Sequence, residues 1–523
     1  LAFGTWLPFG GASLPLVVPP QPQEWPVTAL LALLLLLPAA VGLAFLRRRL
    51  SQAAFFAAEH GASAWLVGLA GTAIGLSAFT FVGGPALLAA SGTGALWMIL
   101  PAPITGVLQC WLWGGFLLER KPRPLTLPQL LGEELGPQAR LVAALLLGLG
   151  CLAGLAVQAK GVGVLAQVLL GGKGELWALG LFLATLAYTA AGGMRAGVWV
   201  DAVQGLIMGL VALALAFSAI QEAGSTGALS QLANRGASLL GSFGQVPPGQ
   251  AFSWYLLFTL GTLAQPHYLQ KFFFLRSPKE LERLPWTLTG SLMVILTVWV
   301  GLGLAAAALV QAGELPAAGD KVIPLLLQRL GKGAVLAASI GCFCAIMSTV
   351  ASFLNLLAAA LTLDLPSALG SRSWSLPWAR AATALAALLG LLFGLASGRT
   401  LAFLGLLGWG FFTASFLPAL LAVRFRCASA KAALAAMLVG ASTCLAAELF
   451  RPHLPAGAEP GLLGAAAGLA VIYLFSVATK PGPNARWSFS PPAKSHPKEL
   501  RKPERDLPLG PGSLHADEGS PGG

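Results

Sequence analysis

Apolar residues along this 523-residue chain come in long blocks, with polar and charged residues gathered between them. Thirteen blocks are close to the roughly 20 residues that an α-helix needs to cross hydrocarbon. They lie at about 27–45, 62–85, 95–118, 140–169, 174–192, 198–221, 249–266, 286–312, 333–360, 377–397, 400–423, 431–449 and 460–479. The pattern predicts an all-α polytopic membrane protein with about 13 transmembrane helices. Two blocks carry helix breakers in their interior. The second reads GTAIGLSAFTFVGGPALLAASG, with Gly71, Gly75, Gly83, Gly84 and Pro85 in one apolar run; the seventh reads FSWYLLFTLGTLAQPHYLQK, with Gly261, Gln265 and Pro266. Interruptions at corresponding positions of two repeats are the sequence sign of discontinuous helices around a transport site. Five is an odd number, so repeats that begin at spans two and seven have opposite orientations. The expectation is a five-plus-five inverted repeat over residues 62–221 and 249–423, with one extra helix at 27–45 in front and two at 431–479 behind.

Composition agrees: 56% of residues are hydrophobic, 10% are charged, and the mean hydropathy is +0.77, far from a soluble domain. The net charge of +12 is a topology signal rather than a nucleic-acid footprint. With the N-terminus outside, 24 of the 32 Lys and Arg residues fall in inner loops or the tail, as the positive-inside rule requires. That places residues 1–26 outside as a Pro- and Gly-rich external segment and the C-terminus in the cytoplasm. Arg47, Arg48 and Arg49 follow the first span instead of preceding it, which opposes a cleaved signal peptide and favours a retained helix. Residues 480–523, rich in Pro, Lys, Ser and Gly, are expected to form a disordered cytoplasmic tail. The six cysteines have no metal-ligand or disulfide spacing.

Enzyme chemistry finds no motif. The chain lacks a phosphate loop ending in Lys-Ser/Thr, a zinc-type His-Glu cluster and a nucleophile elbow, so neither an enzyme nor an ATP-driven pump is expected. One run stands out for binding. AIMSTVASFLNLLAAALTLDL, residues 345–365, holds the adjacent hydroxyls of Ser348 and Thr349 in an apolar helix. With the Ala345 carbonyl they make a hard-cation half-site; the alternative is that both hydroxyls bond back to carbonyls one turn earlier.

Four ordered stretches, FVGGPALLAASGTGALW (81–97), AYTAAGGMRAGVWVDAVQGLIMGL (187–210), LAQPHYLQKFFFLRSPKEL (263–281) and CAIMSTVASFLNLLAAALTLDL (344–365), resemble the sodium/solute symporter family. A weaker match covers GWGFFTASFLPALLAV (408–423), and the likeness is greatest to bacterial sodium/proline symporters. The resemblance implies a LeuT-like fold in a bacterial-type plasma membrane. It also implies a sodium ion as coupling ion, with no other cofactor, held by the carbonyls of Ala73, Leu76 and Ala345 and the hydroxyls of Ser348 and Thr349. Ser77 matches a family hydroxyl beside that site, and Asp201 a family aspartate on the ion pathway. Asp201 reads equally as a hydrated ion-release group and as a helix N-terminal acid. Asp364 suits a structural role at a helix end. Gly75 replaces the aspartate of sodium/proline symporters, and Phe258 and Thr262 replace aromatic residues of their seventh span. His267 reads as a polar anchor, and Lys271 as a residue of the cytoplasmic loop. The pocket walls are expected from Ala78, Thr80, Gly83, Phe258, Thr262 and Trp409. With no charged anchor among them, a zwitterionic amino acid or small carboxylate is favoured over a sugar. The leading function is sodium-coupled import of a small organic solute by alternating access, with the lipid bilayer and no nucleic acid as partner. The rival readings are a solute sensor, which would need a partner protein, and a proton-coupled transporter, which lacks titratable groups at mid-membrane beyond Lys160 and Asp201.

Overall fold

The computed structural model describes residues 51–455 and 457–478. The expected first span, the external segment 1–26 and the tail 480–523 lie outside the described residues. The principal helices are α1 (Gln52–Ala57), α2 (Ala64–Gly75), α3 (Gly84–Ser91), α4 (Ala102–Gln109), α5 (Pro137–Leu169), α6 (Gly174–Ser225) and α7 (Pro248–Thr262). They continue with α8 (Pro266–Phe274), α9 (Leu284–Gln311), α10 (Lys332–Ala359), α11 (Leu376–Ala396), α12 (Leu401–Phe425), α13 (Ala430–Leu449) and α14 (Pro460–Ala478). Among the described residues no strand forms, and eight helical stretches are long and apolar enough to cross a membrane. One of the eight, α6, carries two expected spans, 174–192 and 198–221. Its helix turns at Gly193, where φ is 55° and ψ −152°, a conformation that only glycine adopts without strain. A Cβ there would also lie 2.4 Å from the Phe55 carbonyl oxygen. Arg380 donates to the Ala190 and Ala191 carbonyls beside the turn, at 2.9 and 3.3 Å, and so satisfies acceptors that the kink removes from the ladder.

The second and seventh spans are broken. α2 starts on the Ser63 hydroxyl, which accepts from the Leu66 amide, and stops at Leu76, whose φ of −83° and ψ of 83° leave the helix. The chain then re-enters through a wide π turn, Phe79–Gly83, into α3. At Gly84 the backbone lies so close to the buried Trp299 ring that a Cβ would fall 2.0 Å from it. In the seventh span α7 ends at Thr262 and Pro266, which has no amide hydrogen to continue the ladder, starts α8. The span was expected to end near residue 266; it goes on to Phe274 as a second half-helix.

Charged residues sit mainly at the ends of the bundle. Arg120, Arg140, Arg195, Arg276, Arg372 and Arg424 belong to alternate links or helix termini, and that side is called the basic end below. Asp364 is fully buried there and accepts from Thr126 at 2.9 Å and from Arg140 at 2.9 and 2.8 Å. It braces α5 against the continuation of α10, the structural role expected of it. Glu280, in the link after α8, accepts from the Ala64 amide at 2.7 Å and from Arg276 at 2.5 Å. It thereby caps the N-terminus of α2 with a negative charge.

The Ala64 amide bond and, secondarily, Arg276 hold the Glu280 carboxyl below the usual glutamate range. A depressed folded-state pKa contributes stability that is complete above the unfolded value and is lost as pH falls through the folded one. Acidification through the glutamate range and down past the folded-state pKa is therefore expected to remove the stability that this carboxylate contributes. Glu280→Gln should lose that stability already at pH 7 and show a flatter acid limb in thermal unfolding; identical acid limbs for the two proteins would refute the assignment.

Candidate functional site

The two breaks face each other, and side chains from neighbouring spans repair each of them. At the first, the Thr80 hydroxyl donates to the Gly75 carbonyl at 2.7 Å and accepts from the Ser77 amide at 2.6 Å. Gln158 of α5 accepts from the Ala78 amide through Oε1 at 3.1 Å. At the second, Gln109 and Trp113 donate to the Thr262 and Leu263 carbonyls at 2.6 and 2.9 Å. Gln265 donates to the Gly261 and Trp409 carbonyls at 3.2 Å each. Unpaired peptide groups in hydrocarbon cost several kcal/mol each, so these repairs permit the helices to open in mid-span.

α10 passes beside the end of α2. Ser348 donates to the Ala73 carbonyl at 2.8 Å and also lies 3.0 Å from the Ala345 carbonyl; Thr349 donates to Ala345 at 3.0 Å. Ala73, Ala345, Ser348 and Thr349 are thus brought together, all at most 3% exposed. Leu76, fully buried, stands at the break three residues beyond Ala73. The hydroxyls bond back within α10, as one of the two sequence readings has it, and Ser348 also crosses to α2. The oxygens carry no formal charge and are hard donors, a set suited to a monovalent cation and unsuited to zinc or iron. Among the described residues no group of three His, Cys, Asp or Glu side chains offers a metal site.

A cavity of about 870 Å³, its open mouth included, lies between the breaks. Thr80, Phe258, Thr262 and Trp409 line it as expected positions, and Ser77 and Thr349 join them, so one wall of the cavity is shared with the hydroxyl pair. Ala78 and Gly83 stand outside it. Ala78 packs against Gly161, and Gly83 faces Leu401 and Phe79. Phe258 stacks between Phe79 and Trp409, with ring centroids 6.2 and 4.9 Å apart. Gly75 also lines the cavity, and a Cβ there would lie 2.4 Å from Ile295 Cδ1 and 3.6 Å from the Tyr268 hydroxyl. A side chain at that position would enter solute space.

Three readings need correction. Lys271 is not a loop residue: it lies in α8, is 3% exposed, and its ammonium is 3.4 Å from Asp201 Oδ2. Asp201 is not hydrated: it is fully buried in α6, about two turns past the Gly193 turn. Titratable groups are not scarce in the core either, for His267 is 6% exposed and lines the cavity. Lys160, by contrast, donates to the Arg399 carbonyl at the end opposite the basic one. The sequence analysis left Gln158, Gln265, His267 and Tyr268 out of the pocket, although all four line it. Isolated polar residues in apolar spans, AVQAKG and AQPHY, were the available signal.

Paired broken helices, a neutral oxygen junction and an adjacent solute-sized cavity define a secondary transporter of LeuT-like fold. The sequence model of the sodium:solute symporter family matches residues 55–440, and the chain belongs to that family. The chain is 26% identical over 409 residues to the high-affinity proline transporter PutP of Bacillus subtilis (strain 168), a match covering 72% of this chain and 82% of that protein. Its fold is similar to the substrate-bound, outward-open structure of a Na+-coupled sialic acid symporter. There the TM-score is 0.75 at 20% identity, over 88% of this chain and 99% of that one. Mhp1, a nucleobase-cation-symport-1 family transporter solved in a closed conformation with bromovinylhydantoin bound, is more distant. Its TM-score is 0.52 at 13% identity, over 83% and 98% of the two chains. The protein is therefore an integral membrane transporter, not an enzyme, and sodium is its coupling ion.

Removal of the hydroxyls tests the junction. Ser348→Ala with Thr349→Ala should raise the sodium concentration for half-maximal transport about tenfold, the loss of two oxygen donors, with membrane insertion unchanged. An unaltered sodium dependence in folded double mutant would defeat the assignment.

Proposed function

We propose that the chain imports a small neutral amino acid or small monocarboxylate, driven by an inward sodium gradient. The carbonyls of Ala73, Leu76 and Ala345 and the hydroxyls of Ser348 and Thr349 hold the ion. Ser77, Thr80, Phe258, Thr262 and Trp409 surround the solute. The observation that carries this reading is the Ser348–Ala73 hydrogen bond of 2.8 Å across α10 and α2. It puts the hydroxyl pair against the broken helix, while Thr349 opens onto the cavity. Among the described residues no Asp, Glu, Lys or Arg lines that cavity, so within this class a zwitterionic amino acid, without net charge, enters it at less electrostatic cost than an anionic monocarboxylate. The proline transporter relative supports an amino acid as the class. Asp201, paired with Lys271 on the basic side of the ion junction, belongs to the ion's exit route.

Uptake of radiolabelled L-proline, L-alanine, pyruvate and glucose into proteoliposomes, with sodium or with potassium outside, tests the function. Sodium should accelerate at least one of the first three severalfold and leave glucose at background. Equal uptake in the two salts would reject sodium-coupled import.

The N-terminus faces outward and the C-terminus the cytoplasm, with the basic end inside, in a bacterial-type plasma membrane. Single cysteines at the exposed positions Ser242 and Ser371, on opposite ends of the bundle, report this in a cysteine-free background. An impermeant maleimide added to intact cells should label Ser242→Cys and spare Ser371→Cys. The reverse pattern would invert the topology.

A further inference from the structure

We propose that Gln158 is the residue that reads the solute's carboxylate and ties solute binding to the ion site. The proposal rests on the amino acid or carboxylate class argued above. Gln158 is 3% exposed, lies on α5 and lines the cavity. Its one hydrogen bond among the described residues is the 3.1 Å bond in which Oε1 accepts from the Ala78 amide. That bond fixes the amide's orientation, because the flipped rotamer would set an NH2 group against the Ala78 N–H. The NH2 group is left without a protein partner in a wall of the cavity. The NH2 group is therefore open to an acceptor carried by the solute.

The acceptor's chemistry follows from the surroundings. On the same side, the Thr80 hydroxyl commits its hydrogen to Gly75, and the Ser77 and Ala78 amides are taken by Thr80 and Gln158, so the Gln158 NH2 group is the donor these groups leave for a solute. A free NH2 donor calls for an oxygen acceptor, and the charge-assisted bond to a carboxylate is the stronger kind. The absence of ionised residues from the lining favours an overall neutral solute. A zwitterion satisfies both conditions, with its carboxylate on Gln158.

The same side chain reaches the ion junction through the backbone. Ala78 lies two residues beyond Leu76 and five beyond Ala73, whose carbonyl meets Ser348. A carboxylate accepting from Nε2 polarises the amide and strengthens the Oε1 bond to Ala78. It thereby holds the break in the conformation that presents those carbonyls. Solute and sodium then favour each other's binding reciprocally.

Two substitutions separate the roles. Gln158→Glu keeps an oxygen for the Ala78 amide and replaces the NH2 donor with a second oxygen; Gln158→Leu removes both functions. The measurements are KM for L-proline, L-alanine and pyruvate in proteoliposomes, and the sodium dependence of thermal unfolding of the purified full-length protein. Wild type should show a sodium half-saturation at least threefold lower with saturating solute than without it. At pH 8, Gln158→Glu should raise KM for the carboxylate solute about tenfold, as expected for one charge-assisted hydrogen bond replaced by repulsion. Its sodium half-saturation without solute should stay within about twofold of wild type, and solute should no longer lower it. Gln158→Leu should weaken both solute and sodium. A wild-type KM in Gln158→Glu, or equal losses of solute and sodium response in that variant, would overturn the proposal. Wild-type protein without sodium-dependent uptake of any of the three solutes would instead reject the proposed function.

Discussion

A peptide group left unpaired in hydrocarbon costs several kcal/mol, and the centre of this molecule is organised around that penalty. A continuous helix has no such groups, but it also offers no oxygens to an ion. Opening a helix frees them, and the cost is contained only where other side chains take over the abandoned partners. Thr80 and Gln158 do so at the first break, and Gln109, Trp113 and Gln265 at the second. These residues come from the broken helices themselves and from the spans that flank them. The breaks thus depend on the bundle around them, and the bundle in turn is held to a register that brings these side chains to the middle.

Electrostatics divide the molecule by depth. Ion pairs such as Arg140–Asp364, Arg276–Glu280 and Arg451–Glu459 tie helix ends and links together. In the core, Asp201–Lys271 stands apart as a fully buried pair. Such a pair gains little net stability, because desolvation of both charges offsets their attraction, yet loss of either partner strands the other. Its consequence is positional: α8 is fixed against α6 on the basic side of the cavity. The same side is tied to α1, where Asn355 donates to the Phe55 carbonyl at 3.1 Å and accepts from Gln270 of α8 at 2.7 Å.

The helical class, the location of the broken spans and the hydroxyl pair were legible in the sequence, for a specific reason. Hydrocarbon demands length, breakers announce themselves as Gly and Pro, and Ser348–Thr349 stand out against an apolar background. What stayed hidden depends on helix rotation and on where a helix stops. Lys271 reads as a loop residue because α8 continues past Pro266 through HYLQKFFF, whose polar residues disguise a buried half-helix. Ala78 and Gly83 lie in the correct segment but on the wrong face: Ala78 is turned against Gly161 of α5, and Gly83 closes a wide π turn that a regular helical count does not anticipate. Gln158 sits in a span that stays helical throughout despite its glycines, and only the three-dimensional approach of α5 to Ala78 reveals its contact with the first break.

The absence of a carboxylate from the ion junction has a mechanical consequence. With neutral oxygens alone, attraction for sodium comes from dipoles, which fall off faster with distance than a charge does. The donors belong to two separate helices: Ala73 and Leu76 to α2 and its break, and Ala345, Ser348 and Thr349 to α10. Neither set is a site by itself, so in the proposed site the ion is held only while the two helices remain in contact. A small separation, of the kind a rocking motion between repeats produces, dissolves the site completely, whereas a carboxylate would keep its hold through water. On the proposed site, Gly75 in place of the aspartate of sodium/proline symporters therefore moves the control of ion release from a charge to the packing of α2 on α10. It also returns the vacated volume to the solute cavity.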